Sequence, residues 1–129
     1  MRYNRTIIRI KERSSSDKEL TKEADWAEAL ETSAHQTAVV FKHSTTCPIS
    51  AGAWEEYQTF IQERAGGRAA FYFVKVIESR AISNRIAEDL GVKHESPQAI
   101  VIQDKQPAWH DSHSNITSRI LEEKVTAFS

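Results

Sequence analysis

Sulfur is scarce in this sequence, which has one cysteine, Cys47, and one methionine among 129 residues. A single thiol cannot close an internal disulfide, which excludes the disulfide frameworks of small secreted domains. The chain also has no run of the roughly 20 apolar residues that span a membrane, and its start lacks the apolar core of a secretory signal. We therefore expect a cytoplasmic protein with no membrane partner.

An excess of charge of one sign is also missing. The 17 basic and 18 acidic residues leave a net charge of −1, so no basic surface for nucleic acid is expected. The length and the 40% hydrophobic content suit one core. Residues 1–129 are predicted to form a single domain, and we expect a monomer.

Hydrophobic patterns alternate between the two kinds of secondary structure. Apolar runs predict strands over residues 6–10, 38–41, 69–77, 99–102 and 108–110. Helical spacing predicts helices over residues 19–33, 48–66, 82–90 and 116–128, the third with Gly91 as its C-cap. The order is βαβαβαββα. It predicts an α/β fold whose central mixed sheet is covered by helices on both faces, because alternating strands pair in parallel and the late hairpin adds antiparallel strands.

Cys47 follows an apolar strand and directly precedes Pro48, a favoured residue in the first turn of a helix. Functional groups of α/β sheets cluster beyond the carboxyl ends of strands, where Cys47 falls. A thiolate there is stabilised by unpaired backbone N–H groups and by the helix dipole. The alternative is an inert, buried cysteine, but the polar strand-to-helix turn favours a catalytic nucleophile for thiol–disulfide exchange.

Several polar residues surround the cysteine. Thr46 and Pro48 are adjacent to it, and Ser50 lies one helical turn further on. The Ser50 hydroxyl could donate a hydrogen bond to the thiolate or serve only the backbone, and both interpretations stay open. Strand alternation favours a solvent-facing Lys42.

Two further segments contain residues that could take part in chemistry. His110 and His113 are too few for a closed zinc site, so no metal is expected. Asp111, Ser112 and Ser114 are instead predicted to cap the last helix. Pro97 is expected at the start of the fourth strand, and the general frequency of cis X–Pro bonds alone favours a trans bond before it.

The segment T-C-P-I-S resembles a thioredoxin-type C-x-x-C motif in which Ser50 replaces the second cysteine. Together with K-H-S before it, G-V-K-H-E-S-P-Q-A over residues 91–99 and W-H-D-S-H over residues 109–113, it is similar to the monothiol bacilliredoxin family. The similarity extends from about residue 41 to residue 117.

This resemblance implies a thioredoxin-like fold and a glutaredoxin-like enzyme in which Cys47 takes bacillithiol from S-bacillithiolated proteins. Bacillithiol would be a co-substrate, no cofactor would be tightly bound, and another low-molecular-weight thiol would regenerate Cys47. The resemblance also implies that Pro97 is a cis-proline and that Ser96 and Pro97 bind the incoming disulfide. His94, His110 and His113 match positions of the family; His94 is a candidate substrate contact, and a role in structural packing stays open for all three. Two alternatives remain: an iron–sulfur carrier or sensor of the monothiol glutaredoxin type, and a non-catalytic thioredoxin-fold binding module.

Overall fold

The computed structural model describes residues 17–65 and 69–129. The strands are β1 (Asp17–Glu19), β2 (Ala38–His43), β3 (Ala70–Lys75), β4 (Gln98–Gln103) and β5 (Gln106–Ser112). The helices are α1 (Glu23–Thr32), α2 (Pro48–Glu63), α3 (Arg80–Leu90) and α4 (Ser118–Ala127). The order βαβαβαββα is observed, but its first strand, Asp17–Glu19, is not among the predicted strands. The strand predicted over residues 6–10 lies outside the described residues.

The five strands form one mixed sheet in the order β1-β3-β2-β4-β5. β1, β3 and β2 are parallel, whereas β4 is antiparallel to β2 and β5 to β4. Because successive side chains of a strand point to opposite faces, Val39 and Phe41 pack with α2 and α4, and Ala38 and Val40 pack with α1 and α3. Both faces of the sheet are covered, as the alternating pattern predicts.

The predicted start of the first helix is wrong. Residue 19 belongs to β1, and α1 begins only at Glu23. The Asp25 carboxylate accepts hydrogen bonds from the backbone N–H groups of Thr21 and Lys22. Such an acidic side chain reaching back to the residues before the helix fixes the helix start, and the apolar spacing alone does not show it.

The predicted cap of the last helix is also wrong. Thr117, not Asp111, Ser112 or Ser114, caps α4, because its hydroxyl accepts a hydrogen bond of 3.1 Å from the Ile120 backbone N–H. A 3-10 turn at residues 113–115 separates the predicted cap residues from the helix. The Asp111 carboxylate instead accepts hydrogen bonds within that turn.

Two turns are formed as their residues require. Gly91 adopts φ 66° at the C-cap of α3, the left-handed conformation predicted for it. Asp104 and Lys105, both with positive φ, make the two-residue connection between β4 and β5.

The register of β2 and β4 positions the site. Lys42, next to the end of β2, pairs with Gln98 at the start of β4. The segment that leaves β2 and the segment that enters β4 therefore lie side by side at one edge of the sheet.

None of the helices in the described ranges has the length and apolar character that a membrane span needs.

Candidate functional site

Cys47 is the N-cap residue of the 16-residue helix α2. Its backbone is extended (φ −108°, ψ 124°), and its carbonyl oxygen accepts the first helical hydrogen bond from Ala51 N–H at 3.0 Å. Its side chain makes no capping hydrogen bond and is partly exposed. The thiol therefore lies where the unpaired N–H groups of the first helical turn begin, with access to water.

The flanking residues leave the approach to Cys47 open. Thr46, Pro48 and Ile49 are exposed, and Ile49 is 54% exposed, unusual for a large apolar side chain. The Thr46 hydroxyl lies 3.4 Å from that of Ser44. No acidic residue occupies the first turn of α2. The carboxylate of Glu78 accepts a hydrogen bond of 3.1 Å from the Thr45 hydroxyl, two residues before the cysteine.

Ser50 is fully buried beneath this turn. Its hydroxyl oxygen accepts a hydrogen bond of 2.9 Å from the Ser44 N–H and lies 2.8 Å from His43 Nδ1. Of the two interpretations left open by the sequence, the contacts favour the structural one: Ser50 ties the first turn of α2 to the end of β2.

His43 is a site residue that sequence reasoning missed. Its imidazole stacks on the Trp54 indole with a centroid distance of 4.8 Å and an interplanar angle of 15°. Burial lowers the pKa of His43, Lys75 lowers it further, and Glu78 opposes the shift. This shift favours the neutral form of the ring. The sequence places His43 directly before the turn, but nothing in it shows the contact with Trp54 eleven residues later.

Pro97 is buried at the sheet edge beside this turn. The Ser96–Pro97 peptide bond is cis. The general frequency of X–Pro bonds favours trans, whereas the family resemblance implies cis. The Pro97 carbonyl accepts a hydrogen bond of 2.9 Å from His113 N–H, and the Ser96 hydroxyl is buried without a partner among the described residues. The predicted substrate-binding pair thus directly precedes β4, the strand that pairs with β2.

The prediction that Lys42 faces solvent is wrong. Lys42 lies on the α3 face of β2 and is fully buried. Its ammonium nitrogen donates a hydrogen bond of 3.1 Å to the Ser83 carbonyl and lies 3.1 Å from His94 Nδ1. Burial lowers the pKa of Lys42 to about 8. His94, the candidate substrate contact, is therefore linked through the Lys42 side chain to β2.

An open groove of about 370 Å³ begins at Pro48, beside Cys47. It runs between the start of α2 and the start of α4 and is mainly apolar; its lining consists of Pro48, Ile49, Gly52, Ala53, Glu56, His113, Ser114, Ile116 and Thr117. In the described ranges no three His, Cys, Asp or Glu side chains are grouped as metal ligands.

Comparison with known proteins agrees with this geometry. A family model described as Monothiol bacilliredoxin BrxC matches residues 18–121. A solved structure described as a candidate oxidoreductase with a thioredoxin fold is 31% identical and has a TM-score of 0.73, with coverage of 84% of this chain and 91% of that one.

Two thioredoxins support the fold alone. That of Malassezia sympodialis is 15% identical with a TM-score of 0.71, over 88% of this chain and 90% of its own. That of Trypanosoma brucei brucei is 13% identical with a TM-score of 0.70, over 89% and 92%.

The fold, the single thiol at the start of a helix and these similarities define a thioredoxin-fold protein with a thiol redox role. The chain belongs to the monothiol bacilliredoxin BrxC family. The fold class and the family predicted from the sequence are both confirmed.

Proposed function

We propose that this protein is a glutaredoxin-like thiol–disulfide oxidoreductase that removes bacillithiol from S-bacillithiolated proteins through Cys47. The observation that carries the proposal is the position of the one cysteine of the chain, partly exposed at the N-cap of α2. A thiolate at this position has unpaired N–H groups to stabilise it and open space from which a disulfide can approach.

The reaction takes place in two exchanges. The Cys47 thiolate attacks the bacillithiol sulfur of the substrate, forming a Cys47–bacillithiol disulfide and releasing the protein thiolate, which takes a proton from water. A second low-molecular-weight thiol, as its thiolate, then attacks the bacillithiol sulfur of that adduct. This step releases the Cys47 thiolate and a new disulfide, so electrons balance without a bound cofactor.

Ser50 explains why an outside thiol is needed. A hydroxyl cannot attack the adduct to form an internal disulfide, and Ser50 is in addition buried and bonded to the turn. The adduct therefore persists until a second thiol arrives. Ser96 and Pro97, directly before the adjacent strand β4, supply the backbone against which the substrate disulfide is proposed to lie.

Single-turnover mass spectrometry tests the proposal. Reduced protein is mixed with one equivalent of an S-bacillithiolated substrate protein, without other thiols. We expect the substrate to lose one bacillithiol group while Cys47 gains it. This transfer should be faster than transfer to an unstructured peptide that contains one cysteine. A substrate that stays modified, or transfer no faster than to the peptide, contradicts the proposal. The same substrate carrying glutathione measures the preference for bacillithiol.

A further inference from the structure

The most unusual polar group outside the Cys47 turn is the buried side chain of Lys42. Lysine is among the residue types least often fully buried, yet Lys42 is 0% exposed. Its two hydrogen-bond partners come from two different segments: the Ser83 carbonyl belongs to α3, and His94 belongs to the connection between α3 and β4. Lys42 therefore joins β2, α3 and this connection.

The contact with Lys42 favours one tautomer of His94, whose Nδ1 also lies 3.4 Å from the Ser83 hydroxyl. An ammonium group has only donors, so His94 Nδ1 must accept, and the ring proton is on Nε2. Burial lowers the pKa of His94, the charges of Lys42 and Arg80 lower it further, and Glu95 opposes them. The lowered pKa favours the neutral imidazole, and because Nδ1 faces Lys42 the Nε2–H points away from the buried lysine.

The connection that contains His94 leads directly to Pro97. Gln98, which pairs with Lys42 in the sheet, donates a hydrogen bond of 3.0 Å to the Lys93 carbonyl. The segment 93–97 is thus held at its start by Gln98, in its middle by Lys42 through His94, and at its end by the hydrogen bond from His113 to Pro97.

We propose that Lys42 is a positioning residue for disulfide exchange: it fixes His94 as a neutral N–H donor and holds segment 93–97 where the disulfide attacked by Cys47 must lie. The inference rests on the proposed function, because it concerns binding of the same substrate. Lys42 itself, fully buried, does not touch the substrate.

The arrangement of His94 can be tested in the unmodified protein. Two-bond nitrogen–proton NMR correlations of ¹⁵N-labelled protein report the tautomer and the charge of each histidine. We expect His94 at pH 7 to be neutral with its proton on Nε2. A protonated His94 at pH 7, or a ring with its proton on Nδ1, overturns the inference without any variant having to fold.

The positioning role is tested with Lys42→Met, which keeps the aliphatic length and removes the donor. Lys105→Met, in the exposed turn between β4 and β5, is the matched control. We expect K42M to lower kcat/KM for a bacillithiolated substrate at least tenfold, mainly through KM, and to populate the Nδ1–H form of His94. The rate at which iodoacetamide alkylates Cys47 should change less than twofold, because that small reagent does not need segment 93–97.

Four outcomes separate the possible failures. An unchanged KM in K42M overturns the positioning role, as does an alkylation rate that falls as much as kcat/KM. His94→Gln, which keeps a neutral N–H donor, should retain more activity than His94→Leu, and equal activities contradict the role of the donor. If the wild-type protein leaves the bacillithiolated substrate intact, the proposed function fails, and the same rate comparison with hydroxyethyl disulfide then decides the role of Lys42.

Discussion

The Ser50 hydroxyl oxygen lies 2.8 Å from His43 Nδ1. It also accepts a hydrogen bond from the Ser44 N–H, in the turn that carries Cys47. Ser50, which stands where a C-x-x-C motif has its second cysteine, thus helps to hold the turn in place. Because His43 is also held against Trp54, the turn is anchored on both sides of the cysteine.

Replacing Ser50 with alanine should therefore destabilise the protein. The change leaves the Ser44 N–H and His43 Nδ1 without their partner, which costs about 1–2 kcal/mol of the free energy of unfolding. Urea unfolding measures it. Ser44→Ala is the control, because it removes a partly exposed hydroxyl and keeps the backbone N–H, so it should stay within about 0.5 kcal/mol of wild type. Equal effects of the two variants would contradict the anchoring role.

Cys47→Ser should abolish adduct formation and at the same time stabilise the fold. Cys47 makes no capping hydrogen bond, whereas serine is among the best N-cap residues, so we expect a gain of about 0.5–1 kcal/mol in the free energy of unfolding. The cysteine would then be retained for reactivity at a cost in stability.

Cys47→Ala removes the same thiol without providing a cap and is the matched control. Both variants should show no bacillithiol adduct in intact-mass spectra, since the chain has no other cysteine. Only the serine variant should unfold at higher urea concentration. If the alanine variant gains as much stability, relief of some other constraint at the cysteine, and not capping, is responsible.

The sequence predicts the position of Cys47 well because its signals are local. An apolar run, a polar turn and Pro48 follow one another within a dozen residues, and they define a strand, the edge of the sheet and a helix start. Gly91 is predicted for the same reason, since only its own backbone conformation is involved.

The environment of Lys42 could not be predicted by alternation alone. Alternation assigns Lys42 to one face of β2, and the prediction took that face as open to solvent. The predicted fold itself, however, covers both faces with helices, and a central strand then has no solvent face. The partners Ser83 and His94 are 41 and 52 residues away in the sequence, so only the tertiary structure identifies them.

The cap of α4 provides a test of a prediction that the structure corrected. Thr117→Ala should lower the free energy of unfolding by about 1 kcal/mol, because the Ile120 N–H loses its acceptor. Ser114→Ala, at a position predicted as a cap but exposed in the 3-10 turn, should change it by less than about 0.5 kcal/mol. A larger loss in the Ser114 variant would return the capping role to that residue.

The buried ammonium of Lys42 should make stability depend on alkaline pH. Folding lowers the pKa of Lys42 from its ordinary 10.5 to about 8. Below pH 8 the group is charged in both states and the cost of its burial is fully present. Between pH 8 and 10.5 the unfolded chain binds a proton that the folded chain has released, so the free energy of unfolding rises with pH.

Comparison of Lys42→Met with wild type isolates this contribution, because the other titrating groups cancel in the difference. From pH 7.5 to pH 9.5 the wild type should gain about 2 kcal/mol relative to K42M, at 1.36 kcal/mol for each pH unit above 8. Urea unfolding at the two pH values measures the gain, and Lys105→Met controls for the loss of one lysine charge. A difference between K42M and wild type that is the same at both pH values would mean that the Lys42 ammonium is as well solvated in the folded protein as in the unfolded chain, and the buried contact with His94 would then have to be abandoned.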